Sequence, residues 1–295
     1  MIHKGLVPVG IALYRLDQAV NAVLRRHKPV NSGAELDKTG RVTQFAQRIQ
    51  TIDSESGVRL IRYPKNYSHS IWRSQELSLF ERHKKYLAKP CLDYGCGDGS
   101  FASMLFEHIE YGLDVDLSAL QVASQYRVYG ALACFNGIQL PVKTHTLGSV
   151  ISNSVLEHVQ NLDETLSGIS DSLAPGGYFI FTVPVLRFAE HLRHYFGRAE
   201  SDRINQRWYH RHLHPKEWWR NLLRKYGFEI LEIRSYQPDW FTLAYFTLKT
   251  RPFRLLFGLG LADRECYRRT VTRMIASSIE NTTDGGNIFV VARSA

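Results

Sequence analysis

The chain has 295 residues, of which 44% are hydrophobic and 12% aromatic, and its formal charge is +9. That length allows one large or two small domains, and the apolar content supports a sizeable core. No run of about 18 apolar residues occurs, which excludes a spanning helix. The four cysteines, Cys91, Cys96, Cys134 and Cys266, lack metal-ligand spacing and read as reduced, mostly buried thiols of a cytosolic protein.

Residues 6–13 are apolar but short, lack a small-residue cleavage site and run straight into Arg15 and Asp17, so they are not read as a signal peptide. Residues 7–26 have the spacing of an amphipathic helix, with Ile11, Leu16, Val20, Val23 and Leu24 mostly on one side. Polar residues and glycine over 29–39 predict a loop. A second helix is predicted over 72–85 from Trp72, Leu77, Leu79 and Phe80. Residues 1–85 together read as a cap or lid on a main domain spanning 86–295.

From residue 89 the pattern alternates strand and helix, which is the mark of a parallel sheet covered on both faces. Strands are predicted to end at Asp93 and to span 111–115, 131–135, 148–152, 178–183, 228–235 and 287–292. Helices are predicted from about Ser100 through Ile109, from a Ser118 cap to about 129, over 163–173, and over 215–226 with proline in its first turn. The fold class expected is α/β, a Rossmann-like three-layer sandwich.

The first strand runs into a glycine turn, CLDYGCGDGSFA, with Gly95, Gly97 and Gly99 on alternate positions. Glycines serve where a backbone turns tightly and must approach a ligand, and the helix start that follows presents unpaired N–H groups to it. A dinucleotide fingerprint would need glycine at position 100, where Ser100 stands, and a phosphate-cradling loop would need lysine. What stands is D-x-G-x-G-x-G. It resembles motif I of the class I S-adenosylmethionine (SAM) dependent methyltransferases. Asp114, 19 residues after Gly95 in YGLDVD, resembles their second motif, a strand-end acid that accepts both ribose hydroxyls, with Asp116 the lesser rival. The segment Asn153-Ser154-Val155-Leu156-Glu157-His158-Val159 and the turn Pro175-Gly176-Gly177 extend the likeness, which is of the methyltransferase-11-like kind over residues about 88–236.

The resemblance implies seven strands with the last antiparallel, SAM as cofactor and S-adenosylhomocysteine as product. It implies cofactor contacts at Asp93, Gly95, Cys96, Gly97, Asp114, Val115, Asn136, Gly137 and Asn153. Asp93 suits the ammonium group of SAM. Asn136 stands where relatives usually have an aspartate for the adenine amino group, and Gly148 where they usually have another. Asn153-Ser154-Val155-Leu156 also departs from the Asn/Asp-Pro-Pro-Tyr/Phe of amino-directed nucleic-acid enzymes. No Pro-Cys nucleophile follows a later strand, as pyrimidine carbon-5 enzymes require; the sole Pro-Cys pair, Pro90-Cys91, opens the first strand.

Between residues 186 and 225, ten Lys or Arg face four acids, so +6 of the +9 lies in one segment. Such a field attracts an anionic small molecule, nucleic acid or an anionic membrane. The segment also holds His191, His194, His210, His212 and His214. No nearby Cys or acid completes a metal site, and none is expected; the segment reads as an aromatic and basic insertion roofing the substrate pocket. His158, His210 and His212 are the candidate general bases. Arg207, Tyr209 and Arg211 are the candidate substrate contacts, Arg203, Arg207 and Arg211 sharing one face if helical. Residues 240–261 are aromatic and aliphatic, broken by Lys249, Arg251, Pro252 and Arg254, and read either as core or as a bilayer-surface segment. The two insertions run over about 185–214 and 238–284. The expected enzyme is a cytoplasmic methyltransferase, at the membrane surface if that segment binds lipid, acting on a small, glycosyl or lipid-linked, anionic or amphiphilic acceptor. An RNA methyltransferase and a non-catalytic SAM-binding protein are the alternatives.

Overall fold

A computed structural model describes residues 2–25, 50–52, 58–63, 66–135, 140–260, 264–280 and 282–295, with side chains of the first helix described over 7–19. The predicted loop at 29–39, the cofactor residues Asn136 and Gly137, and the side chains of Val20, Val23 and Leu24 lie outside the described residues. In chain order the elements are α1 (Ile2–Arg25), β1 (Gln50–Ile52), β2 (Leu60–Arg62), α2 (Tyr67–Arg82), β3 (Cys91–Tyr94), α3 (Ser100–Leu105), β4 (Ile109–Asp114), α4 (Leu117–Ala123), β5 (Tyr129–Cys134) and β6 (Leu147–Asn153). There follow α5 (Leu162–Ser172), β7 (Leu173–Pro184), α6 (Leu186–Phe196), α7 (Arg198–Arg207), α8 (Lys216–Lys225), β8 (Phe228–Tyr236), α9 (Asp239–Leu248), α10 (Arg251–Gly258), α11 (Glu265–Glu280) and β9 (Asn287–Ser294).

Seven strands form one sheet in the order β5-β4-β3-β6-β7-β9-β8. All neighbours are parallel except β9, which runs antiparallel to both β7 and β8. Strand β3 is buried along its whole length, as a central parallel strand with helices on both faces must be. The period of two sorts the side chains: Phe179, Phe181 and Val183 of β7 join Trp219 and Leu223 of α8 on one face. Ile180 of the same strand and Phe289 and Val291 of β9 join Phe80 of α2 on the other.

Two local expectations are corrected. Asp116, not Ser118, caps α4, because its carboxylate accepts from the Ser118 and Ala119 N–H groups. Helix α3 stops at Leu105, and Ile109 opens β4 and is fully buried there. Two of the four cysteines, Cys134 and Cys266, are exposed.

The insertions are helical and pack on the N-terminal helix. Gly10 of α1 lies so close to α9 that a Cβ there would meet Thr247 Oγ1 at 2.9 Å. Tyr14 packs on Phe196 and Phe246 and donates to Glu200 Oε1 at 2.5 Å. The apolar 240–261 stretch divides into two helices of different character. Helix α9 buries Phe241, Leu243, Tyr245 and Phe246, whereas Leu255 of α10 is 67% exposed and Leu259 74%.

Candidate active site

The glycine turn leaves β3 at the carboxyl edge of the sheet, where ligands bind in open α/β folds. Gly95 and Gly97 both have positive φ, 77° and 54°. At Gly95 a side chain is also excluded by space, since a Cβ would meet Val155 at 2.4 Å. At Gly97 nothing lies within 4 Å of that position, so the backbone is open to a ligand. Asp114 shapes the turn from β4: its Oδ2 accepts the Gly97 N–H at 2.7 Å and its Oδ1 the Asp116 N–H at 2.9 Å. The carboxylate is half-buried and each oxygen retains acceptor capacity for a ribose hydroxyl. Beside it Val115 is 70% exposed and Leu117 60%, an apolar shelf suited to a nucleobase.

Asp93 lies beneath the turn, not on its surface. It is 4% exposed and its Oδ2 accepts the Tyr129 hydroxyl at 2.7 Å. Burial pushes its carboxyl up to about 7, with the Tyr129 hydrogen bond opposing and the Asp114 charge adding. Cys96 is buried, and its N–H, like that of Gly95, is given to Leu113 O. The Asn153 amide is spent inside the protein. Its Nδ2 donates to Glu76 at 3.1 Å and its Oδ1 accepts from Thr182 at 2.6 Å.

Glu76 is the residue sequence reasoning missed. Fully buried on α2, its carboxylate accepts from Trp72 Nε1 (2.8 Å), Arg73 Nη1 (2.5 Å), Asn153 Nδ2 (3.1 Å), Ser154 Oγ (2.8 Å) and Tyr236 OH (3.4 Å). The available signal was an acid at a buried helical position among Trp72, Leu79 and Phe80. Ser154, at φ +56°, is in the left-handed region that costs a non-glycine residue roughly 1 kcal/mol or more. Its N–H is held by Thr182 Oγ1 at 3.0 Å.

Beyond Ser154 the chain brings three further groups together. Glu157 is 2% exposed, and its carbonyl accepts the N–H groups of Arg211 and His212, which clips the 208–214 segment over it. His158 Nε2 stands 3.6 Å from Glu157 Oε1, and the His158 and His210 rings are 5.4 Å apart. Burial pushes the Glu157 carboxyl up to about 8 and the His210 imidazole down to about 3. His212 is set apart, its Nε2 bonded to Val159 O at 2.8 Å.

A cavity of about 360 Å³ opens between α1, the start of α2, α7, α9 and α10. Arg203, Arg207, Lys249 and Arg254 line it beside Trp208 and Phe246, and Asp17 is its one lining acid among the described residues. Lys249 sits over the Tyr245 ring at 4.3 Å and the Trp208 ring at 4.9 Å. Burial, with the Arg207 charge adding, pushes its amine down to about 8. Of the predicted substrate residues only Arg207 reaches this cavity. Helix α7 ends at Arg207, so Arg211 does not continue its face, and Tyr209 is 73% exposed. Trp208 links the cavity to the sheet edge by packing against Trp72, the donor to Glu76.

The family described as a methyltransferase domain matches residues 63–233, more than half of the chain and inclusive of α2. An uncharacterized methyltransferase of Mycobacterium tuberculosis is 29% identical over 136 residues, covering 43% of this chain and 68% of the relative. An uncharacterized protein of Methanocaldococcus jannaschii is 33% identical over 113 residues, 37% of this chain and 47% of that protein. Among solved structures, a SAM-dependent methyltransferase from Thermotoga maritima superposes with a TM-score of 0.51 at 19% identity, covering 77% of this chain and 91% of that one. A geranyl diphosphate methyltransferase in complex with SAM gives 0.51 at 13% identity, covering 78% and 90%. These two likenesses are of fold. The chain belongs to the methyltransferase-domain family. It is a SAM-dependent methyltransferase, and the open turn at Gly97, the Asp114 carboxylate and the Val115 shelf fit that cofactor.

Proposed function

We propose that this methyltransferase acts on a small anionic acceptor whose charged end lies in the cavity at Lys249. The observation that carries the reading is the cation set there. Among the described residues, Arg207, Lys249 and Arg254 have no acid partner within 4 Å, while Arg203 is paired with Glu200. Three such cations around one small cavity suit a phosphate or carboxylate. The aromatic wall of Trp208 and Phe246 and the exposed Leu255 and Leu259 beside Arg254 support an amphiphilic acceptor, including a glycosyl or lipid-linked one, met at a membrane surface.

SAM supplies a methyl group already activated on its sulfonium. What remains for the protein is to hold the acceptor in line and exclude water. Asp114 and the glycine turn hold the cofactor side, and Arg207 and Lys249 hold the acceptor's charge. His158 and His210 stand together past Ser154, whereas His212 is committed to Val159 O.

The RNA reading is weakened by what became of the basic segment. Six of its ten cations, Arg187, Arg193, Arg198, Arg203, Arg220 and Lys225, are ion-paired at the surface. Labelled methyl transfer from SAM into cell extract, followed by anion-exchange separation, tests the proposal. The expected product is anionic and of low mass, and its formation is lost in Lys249→Met with SAM affinity retained. Label in RNA or in a neutral product overturns it.

A further inference from the structure

We infer that Glu157, His158 and His210 form a binding site for a divalent transition-metal ion of the zinc type. One donor atom from each of the three lies within 4.8 Å of the other two. Donors sharing an ion through bonds of about 2.1 Å stand roughly 3–4 Å apart, so only a small inward adjustment completes the set.

The tautomers carry the argument. His158 Nδ1 is 3.3 Å from the Tyr209 carbonyl oxygen, which can only accept. The Nδ1 therefore bears the proton, and Nε2 presents a lone pair. His210 Nδ1 is 2.9 Å from Asn205 Oδ1. The Asn205 amide is oriented by its Nδ2, which donates to Ser201 O at 2.9 Å, so its Oδ1 is an acceptor too. His210 likewise keeps its proton on Nδ1 and its lone pair on Nε2. A metal-binding histidine typically has its other nitrogen held by a carbonyl or carboxyl oxygen in this way.

Glu157 supplies the oxygen donor, and a bound cation would favour its ionised form. Its carboxylate is 2% exposed, and Oε2 has no hydrogen-bond partner among the described residues. Its Oε1 is 3.6 Å from His158 Nε2, too long for a hydrogen bond. Glu157 Oε2 is thus a buried acceptor that no donor among the described residues satisfies, which is costly, and an ion shared with the two imidazoles would satisfy it. Arg73, whose charge acts on both Glu157 and His158, is already paired with Glu76 at 2.5 Å. Two imidazoles and one carboxylate select zinc, iron, cobalt or their neighbours over magnesium and calcium, and leave open positions on the ion. Trp208 packs on His210 and also lines the acceptor cavity, so the site adjoins it. With an ion bound, His158 and His210 are ligands and not the bases their sequence positions suggest.

The experiment is a Zn²⁺ titration of chelator-stripped full-length protein against a chromophoric chelator, with Co²⁺ absorption as a second readout. One tight equivalent and a cobalt d–d band are expected. His158→Gln and His210→Gln should each abolish both, with far-UV circular dichroism and SAM affinity retained. Asn205→Ala, which frees the His210 ring, should weaken binding about 10- to 100-fold. His194→Gln, an exposed histidine outside the cluster, should leave the tight equivalent in place. No tight equivalent in the wild-type protein, or one that survives the double histidine variant, overturns the inference. If Glu157→Gln does not fold, the histidine variants decide.

Discussion

The carboxylate of Glu76 accepts the hydroxyl of Ser154 at 2.8 Å, across 78 positions of chain. This bond fastens α2 to the end of β6. Glu76→Gln would place an amide N–H₂ among donors and leave Arg73 without its partner. Loss of one side of a buried pair costs about 3 kcal/mol or more, which lowers Tm by roughly 5–10 °C in a domain of this size. Thermal melting checks this; an unchanged Tm would show that the cluster is not a structural hub.

Asp114 holds the Gly97 N–H from within the protein, and in the proposed reading its remaining lone pairs accept from the cofactor's ribose. Asp114→Ala removes charge-assisted hydrogen bonds that contribute about 1.5–3 kcal/mol each. SAM affinity by calorimetry should therefore drop at least tenfold, and the SAM-induced rise in Tm should vanish. Retained affinity would mean that the ribose is held elsewhere.

Gly148 stands where the resemblance led us to expect aspartate, but a Cβ there would meet Lys89 O at 2.6 Å, and the Gly148 N–H is tied to Pro90 O at 2.9 Å, so the two segments are held close. Restoring the usual residue with Gly148→Asp should destabilise this chain. The check is the urea midpoint of unfolding, expected to fall even for Gly148→Ala.

Lys249 gives the proposed acceptor a pH dependence. Its amine is pushed down to about 8 by burial and by Arg207, and it faces His69 of α2, itself pushed down to about 3. Below about 8 Lys249 is charged and attracts an anion; above it the attraction is lost. KM for an anionic acceptor should rise as pH passes 8 with kcat less affected. Lys249→Arg should move the rise out of that range.

Asp93 titrates in the opposite sense for stability. Its folded value, about 7, is above the unfolded carboxylate value near 4. The folded state thus holds the proton longer, and stability from this group declines as pH rises from about 4 to about 7, then levels. Asp93→Asn should flatten that part of the Tm profile between pH 5 and 8. A profile identical to wild type would show the carboxyl to be ionised throughout.

The strands and most helices were legible because their signals are local. Period-two burial in β7, proline before α8 and glycine out of β3 each act within a few residues. Some missed details were local competitions, such as Asp116 displacing Ser118 as the cap of α4, whereas the helices of the two insertions, α6, α7 and α9 to α11, and the β1–β2 pair carried no assignment from the sequence. Asn136 and Gly137, expected at the adenine, lie outside the described residues.

By itself the sequence determined the class of sheet, the glycine turn and the Asp114 acid, and through them SAM as cofactor. Only the tertiary structure decided where the basic insertion's charges lie. Acids pair with six of its ten cations at the surface, while Arg207, joined by Lys249 and Arg254 from outside it, lines one cavity. It alone brought Glu157 to His210, which the chain separates by α5, β7, α6 and α7. The physical reason is range. Turn geometry and strand periodicity are written in neighbouring residues, but the field at a buried charge depends on whichever side chains topology sets beside it.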